Sequence, residues 1–199
     1  LVELIVYGVA AIILLKLSGI LNDRFILGQF DNQKELIDDR NQGVGICILG
    51  SYIASALMIA GAIYGESRSI DPNAFWEGLT NDLGTVVIYF VLGQLLLAVF
   101  AKLYQRVAGT DVLTAIEANY EVDGRIVGGN HAAGTALGLN LIAFGIMLLG
   151  AGQTEHEALL EMAQDYALFA ALGLFVLPTW QLFADKVMLH QADLRKEIY

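Results

Sequence analysis

Long apolar stretches alternate with short polar ones from end to end of this chain. Five stretches approach the roughly 20 apolar residues that span a hydrocarbon core: 1–21, 43–64, 83–103, 126–151 and 167–189. The first carries Val, Ile and Leu around most of its circumference, as a lipid-facing helix does. The second is rich in small residues (Gly43, Gly45, Gly50, Ser51, Ala54, Ser55 and Gly61), and the fourth has Gly134 and Gly138 in a GxxxG spacing. Small residues let helix backbones meet closely in lipid, where packing replaces the hydrophobic effect as the associating force. Asp71-Pro72 predicts a helix start, Thr154 with Glu157 a capping box, and Asp123-Gly124 with Gly128-Gly129 turns in the linker from Ala108 to Gly129. The linker of residues 22–40 is polar, and Lys34 to Arg40 is expected to extend the second helix. Pro178 is expected to kink the fifth.

The apolar pattern repeats. A shift of 89 positions carries Asn41 onto Asn130 and aligns Gly45 with Gly134, Ile53 with Ile142, Ala54 with Ala143, Met58 with Met147 and Gly61 with Gly150. A shift of 82 pairs Tyr7, Leu14, Leu21 and Arg24 with Tyr89, Leu96, Leu103 and Arg106, and a shift of 80 pairs Gly93 with Gly173. A shared Asn, Met and Arg in register exceeds what two apolar helices share through composition alone. The expected fold is therefore all-α: a polytopic membrane bundle of about five helices, built from a parallel tandem two-helix repeat and a further half repeat. Its units are residues 1–65, 66–151 and 152–199.

Composition agrees with a bilayer as solvent. Hydrophobic residues make up 56% and charged residues 16%, with a mean hydropathy of +0.59, whereas about a quarter of a soluble domain is charged. The net charge of −10 matters less than its placement, since orientation follows Lys and Arg. Arg24, Lys34, Arg40, Lys102, Arg106, Arg125, Lys186, Arg195 and Lys196 fall on one side, with Lys16 snorkelling towards it. Arg68 stands on the other among Glu3, Glu66, Asp71, Glu77, Asp82, Glu155, Glu157, Glu161 and Asp165. The N-terminus is expected outside and the C-terminus in the cytoplasm. The chain opens on Leu within an apolar helix, so the natural start is expected upstream, and a sixth helix beyond Tyr199 is left open.

The duplicated unit, with Asn41-Gln42-Gly43-Val44-Gly45 in one copy and Asn130-His131-Ala132-Ala133-Gly134 in the other, resembles a bacterial transmembrane family, the domain of unknown function numbered 350. The second copy is close to that family's Asn-x-Ala-Ala form; the first places Gly and Val where Ala is usual. The resemblance covers nearly the whole chain and implies an inner-membrane location. It also implies an association with membrane-remodelling proteins of the phage-shock-protein-A type, but no activity.

The candidate polar membrane site consists of Asn41, Ser51, Gln94, Asn130, His131 and Asn140. Asn41 and Asn130 are expected to cap helix entrances or bond across helices; a paired polar site on a pseudo-twofold axis is the sharper alternative. Ser51, Ser55, Gln94, Thr135 and Asn140 act either as polar glue between helices or as the lining of a narrow path. His131 sits at an interface, with a pH-sensitive role as the alternative. Acids are placed outside the span centres, which disfavours a proton relay. No catalytic motif, metal spacing or cofactor loop is present, and the lone Cys47 reads as a packing residue. The chain carries no basic patch for nucleic acid. The expected function is a non-enzymatic membrane scaffold that recruits a membrane or cytoplasmic membrane-stress partner, or self-associates. A channel or small-solute permease is the alternative.

Overall fold

The computed structural model describes residues 2–65, 74–108, 111–118, 120–122, 125–127, 129–153 and 159–183. Among them lie α1 (Val2–Phe25), a π-helical turn (Lys34–Asp38), α2 (Gln42–Gly65), α3 (Phe75–Ala108), α4 (Val112–Glu117), β1 (Tyr120–Val122), β2 (Arg125–Val127), α5 (His131–Gly152) and α6 (Leu159–Phe183). The architecture is a helical bundle, and among the described residues the strands are confined to one small hairpin. Among the described residues four helices, α1, α2, α3 and α5, are long and apolar enough to cross a membrane. The Asp71-Pro72 start, the Thr154 capping box, His156 and the basic tail lie outside the described residues.

The centre of the bundle is the α2–α5 pair. Both helices run in the same direction and their backbones touch along most of their length. A Cβ built on Gly50 would lie 2.6 Å from the Gly138 Cα, one on Gly145 2.6 Å from the Ala54 Cα, and one on Gly61 2.7 Å from the Leu149 carbonyl oxygen. Real side chains cannot occupy such space, so the glycines set the interhelical distance. The opposite direction is taken by α1, α3 and α6. Of these, α3 packs on both members of the pair, with α1 beside α2 and α6 beside α5. The core between them holds Met58, Tyr89, Leu97, Phe100, Tyr104, Leu137, Leu141, Phe144 and Leu148, all at most 1% exposed. Phe100 and Phe144 stack with centroids 4.4 Å apart. Outward-facing α1 residues such as Leu4 and Ile12 are more than 70% exposed, as a lipid-facing surface requires.

Several boundaries differ from expectation. α3 has 34 residues, about 50 Å of helix, so it runs well past the apolar stretch at 83–103. Its first turn carries Phe75 and the exposed Trp76 in an edge contact. The fourth apolar stretch begins later than 126, because Ile126 and Val127 belong to β2, paired with β1 as Tyr120–Val127 and Val122–Arg125. The Asp123-Gly124 turn expected from the sequence lies outside the described residues. Lys34 to Arg40 does not extend α2: Arg40, at φ 50° in the left-handed region, interrupts the helical backbone between the π-helical turn and α2. Residues 159–165 continue directly into α6, which contains Pro178.

The glycine contact generates a contrast. Gly138→Leu is expected to destabilise the protein by about 1–3 kcal/mol, the usual cost of overpacking. Gly84→Ala, where an added Cβ meets nothing within 4 Å, is expected to be neutral or to stabilise by up to about 1 kcal/mol through helix propensity. Thermal unfolding of the two variants in one detergent checks this, and equal shifts would contradict it.

Candidate functional site

Polar side chains concentrate at two depths. The first is the end of the bundle where α2 and α5 begin. Asn41, 1% exposed, uses every polar atom of its side chain. Its Oδ1 accepts from the Val44 amide at 3.0 Å, capping α2, while Nδ2 donates to Glu35 Oε2 at 2.9 Å and to the Ile116 carbonyl at 3.1 Å. Its backbone N–H donates to the Glu35 carbonyl at 2.7 Å. Asn130 caps α5 in the same manner, its Oδ1 accepting from the Ala133 amide at 3.0 Å. The Asn130 N–H donates to the same Ile116 carbonyl, at 3.3 Å. One carbonyl at the end of α4 thus joins the two helix entrances. Gly129, at φ 78°, passes directly over Asn41; a Cβ there would run into the Asn41 amide.

Both linkers are held by this arrangement. The π-helical turn presents Glu35, 4% exposed, while α4 buries Val112, Leu113 and Ile116. Asp111 caps α4, accepting from the Thr114 amide at 3.2 Å. The Thr114 side chain and amide, helped by Gln29, hold the Asp111 carboxyl below the ordinary carboxylate range.

The second concentration is close to the middle of α2. Asn22 Nδ2 donates to Ser55 Oγ at 3.2 Å and to the Ser51 carbonyl at 3.4 Å; Gln94 Nε2 donates to the same Ser55 Oγ at 2.9 Å. Ser55 in turn donates to the Ser51 carbonyl at 2.9 Å, and Ser51 to the Ile48 carbonyl at 2.8 Å. All four residues are buried. The network ties α1 and α3 to α2 with hydrogen bonds, which in hydrocarbon have no water to compete with them.

The six sequence candidates therefore separate. Asn41 and Asn130 meet around Ile116, and Ser51 and Gln94 meet through Ser55. Asn140 donates to the Ala136 carbonyl of its own helix at 2.8 Å, and His131 is exposed on the first turn of α5. Three contributors were not singled out from sequence. Glu35 sits in a charged stretch that reads as solvated. Asn22 belongs to a buried α1 stripe with Leu14, Ser18 and Gly19, a periodicity that would have exposed it. Asp82, assigned to the outer surface, lies inside α3 on the stripe of Leu79, Val86 and Tyr89, is 7% exposed, and accepts from the Tyr7 hydroxyl at 3.1 Å. Among the described residues no three His, Cys, Asp or Glu side chains gather as a metal site would require, and Cys47 is a buried free thiol.

The two asparagines predict unequal losses. Asn130→Ala removes a cap, costing about 1 kcal/mol. Asn41→Ala also strips Glu35 and Ile116 of a donor, and a loss of about 2–4 kcal/mol is expected. Denaturant titration of both variants measures the difference; identical midpoints would show that the bridge to the linkers contributes nothing.

No curated protein and no solved structure matches the chain. The model of one family, described as Domain of Unknown Function (DUF350), matches twice, over residues 1–80 and 76–199. Together these matches cover the chain from end to end, and the protein belongs to the DUF350 family.

Proposed function

We propose that this protein is a non-enzymatic scaffold of the bacterial inner membrane, whose linker face recruits a partner in envelope maintenance. The observation that carries the reading is the bridge at Asn41: a chain that only had to cross the bilayer would not need its linkers fastened to the helix entrances. Through Glu35 and Ile116 the bridge holds the π-helical turn and α4 in place, so the linkers present an ordered surface to a partner. We take α6 as a fifth span, uncharged from Tyr166 to Phe183. The two matches of one family model and the parallel α2–α5 pair support a tandem repeat. Exposed Lys34, Arg40, Lys102 and Arg106 lie towards the linker end, which supports a cytoplasmic placement for that face. The channel or permease alternative has weaker support, because Asn140 and His131 stand apart from the Ser51–Gln94 network.

Affinity purification in mild detergent, with mass spectrometry of bound proteins and the mass of the intact assembly, tests the scaffold. Wild-type protein is expected to retain a stoichiometric partner. A variant reversing the exposed charges Lys34, Asp38 and Arg40 is expected to lose it while keeping its unfolding midpoint. A homogeneous homo-oligomer without a partner would overturn this reading and favour the permease, to be followed by flux measurements in liposomes.

A further inference from the structure

An open groove of about 470 Å3 lies between the π-helical turn and the beginning of α2. Leu36, Gly45, Ile46 and Leu49 form its apolar wall, and Arg40 and Gln42 line it at the helix entrance. Leu49 stands about 10 Å along α2 from Gln42 and is 58% exposed. Because α2 from Gln42 onward is long and apolar enough to cross a membrane, the groove begins at headgroup depth and runs into the hydrocarbon. A Cβ on Gly45 would meet only Leu36 Cδ2, at 3.4 Å. This glycine therefore leaves space in the groove and takes no part in the contact with α5.

Arg40 is the charged residue of the lining. In the same segment Lys34 pairs with Asp39 at 3.8 Å, and the Glu35 carboxylate accepts from Asn41. The Arg40 guanidinium has no ion pair or hydrogen-bond partner among the described residues. Its backbone holds φ 50°, a conformation that glycine adopts more readily, so a cationic side chain stands where the turn itself favours none. We propose that the groove seats one phospholipid of the linker-side leaflet, its phosphodiester on the Arg40 guanidinium and an acyl chain along Ile46 and Leu49. Charge complementarity and depth select this occupant. A guanidinium can donate to two phosphate oxygens at once, and the apolar wall continues inward from that point as an acyl chain does. Free phosphate would leave the wall unused, and a soluble protein segment would have to carry unpaired backbone into hydrocarbon to reach Leu49. The seat is built by this chain alone and does not depend on the scaffold reading.

Native mass spectrometry of the full chain in detergent, with no partner protein present, tests this with two probes. They are dioleoyl phosphatidylglycerol and dioleoylglycerol, which has the same chains and no phosphate. One phosphatidylglycerol is expected to bind about tenfold more tightly than dioleoylglycerol, the ratio that a charge-assisted hydrogen bond supports. Arg40→Gly, which suits the backbone at φ 50°, should keep the unfolding midpoint and bring phosphatidylglycerol down to the affinity of dioleoylglycerol. Gly45→Leu fills the groove with Arg40 in place and should weaken both lipids. Glycerol phosphate, the anion without chains, should leave the bound lipid undisplaced. Equal affinity of wild type for the two lipids, phosphatidylglycerol binding that survives either substitution, or displacement by glycerol phosphate would overturn the proposal.

Discussion

Backbone contact between α2 and α5 is the constraint on which the rest of this bundle depends. Between helices in lipid there is no hydrophobic gain in hiding one apolar surface against another, so attraction must come from close packing and from polar contacts. Gly50, Gly61, Gly138 and Gly145 allow that packing. Once the pair is at this distance, α3 lies against both of its members, and α1 and α6 take the flanking positions. Bulky residues such as Phe100, Tyr104 and Phe144 fill the space between these helices, while the pair itself is held apart by little more than hydrogen atoms.

The polar contacts reinforce this geometry at two levels. Ser55 receives amides from both Asn22 and Gln94, so one hydroxyl on α2 gathers the two neighbouring helices. At the entrances, the Ile116 carbonyl receives Asn41 from one helix and Asn130 from the other. Each level uses a single acceptor to join elements distant in sequence. Both are sensitive to position, because a shared acceptor supports two donors only while both remain within hydrogen-bond reach.

Much of this was legible in the sequence, for identifiable reasons. Apolar runs located α1, α2, α3 and α5 because the bilayer imposes a length, and Asn at a helix entrance announced its capping role. The small-residue positions of α2 and α5 marked the central contact. Boundaries were less visible where hydropathy does not distinguish helix from strand, as at Ile126 and Val127, or where a charged residue is buried by a specific partner, as at Glu35 and Asp82. Hydropathy reports which residues avoid water; it does not report which polar group finds which acceptor. The pairing of Asn22 with Ser55 was invisible for the same reason, although the polar sequence from Asn22 onward did mark where α1 comes to its end.

The parallel course of α2 and α5 has an electrostatic consequence. Each helix N-terminus carries roughly half a positive charge from its aligned peptide dipoles, and two such ends placed side by side repel one another. The closer the glycines bring the backbones, the stronger that repulsion becomes. Acidic side chains are favoured at such an end, and Glu35, buried and bonded to Asn41, stands at the entrance of α2. An acid that reads as surface charge in the sequence thus stands at the entrance where the parallel course of the two helices gathers positive potential.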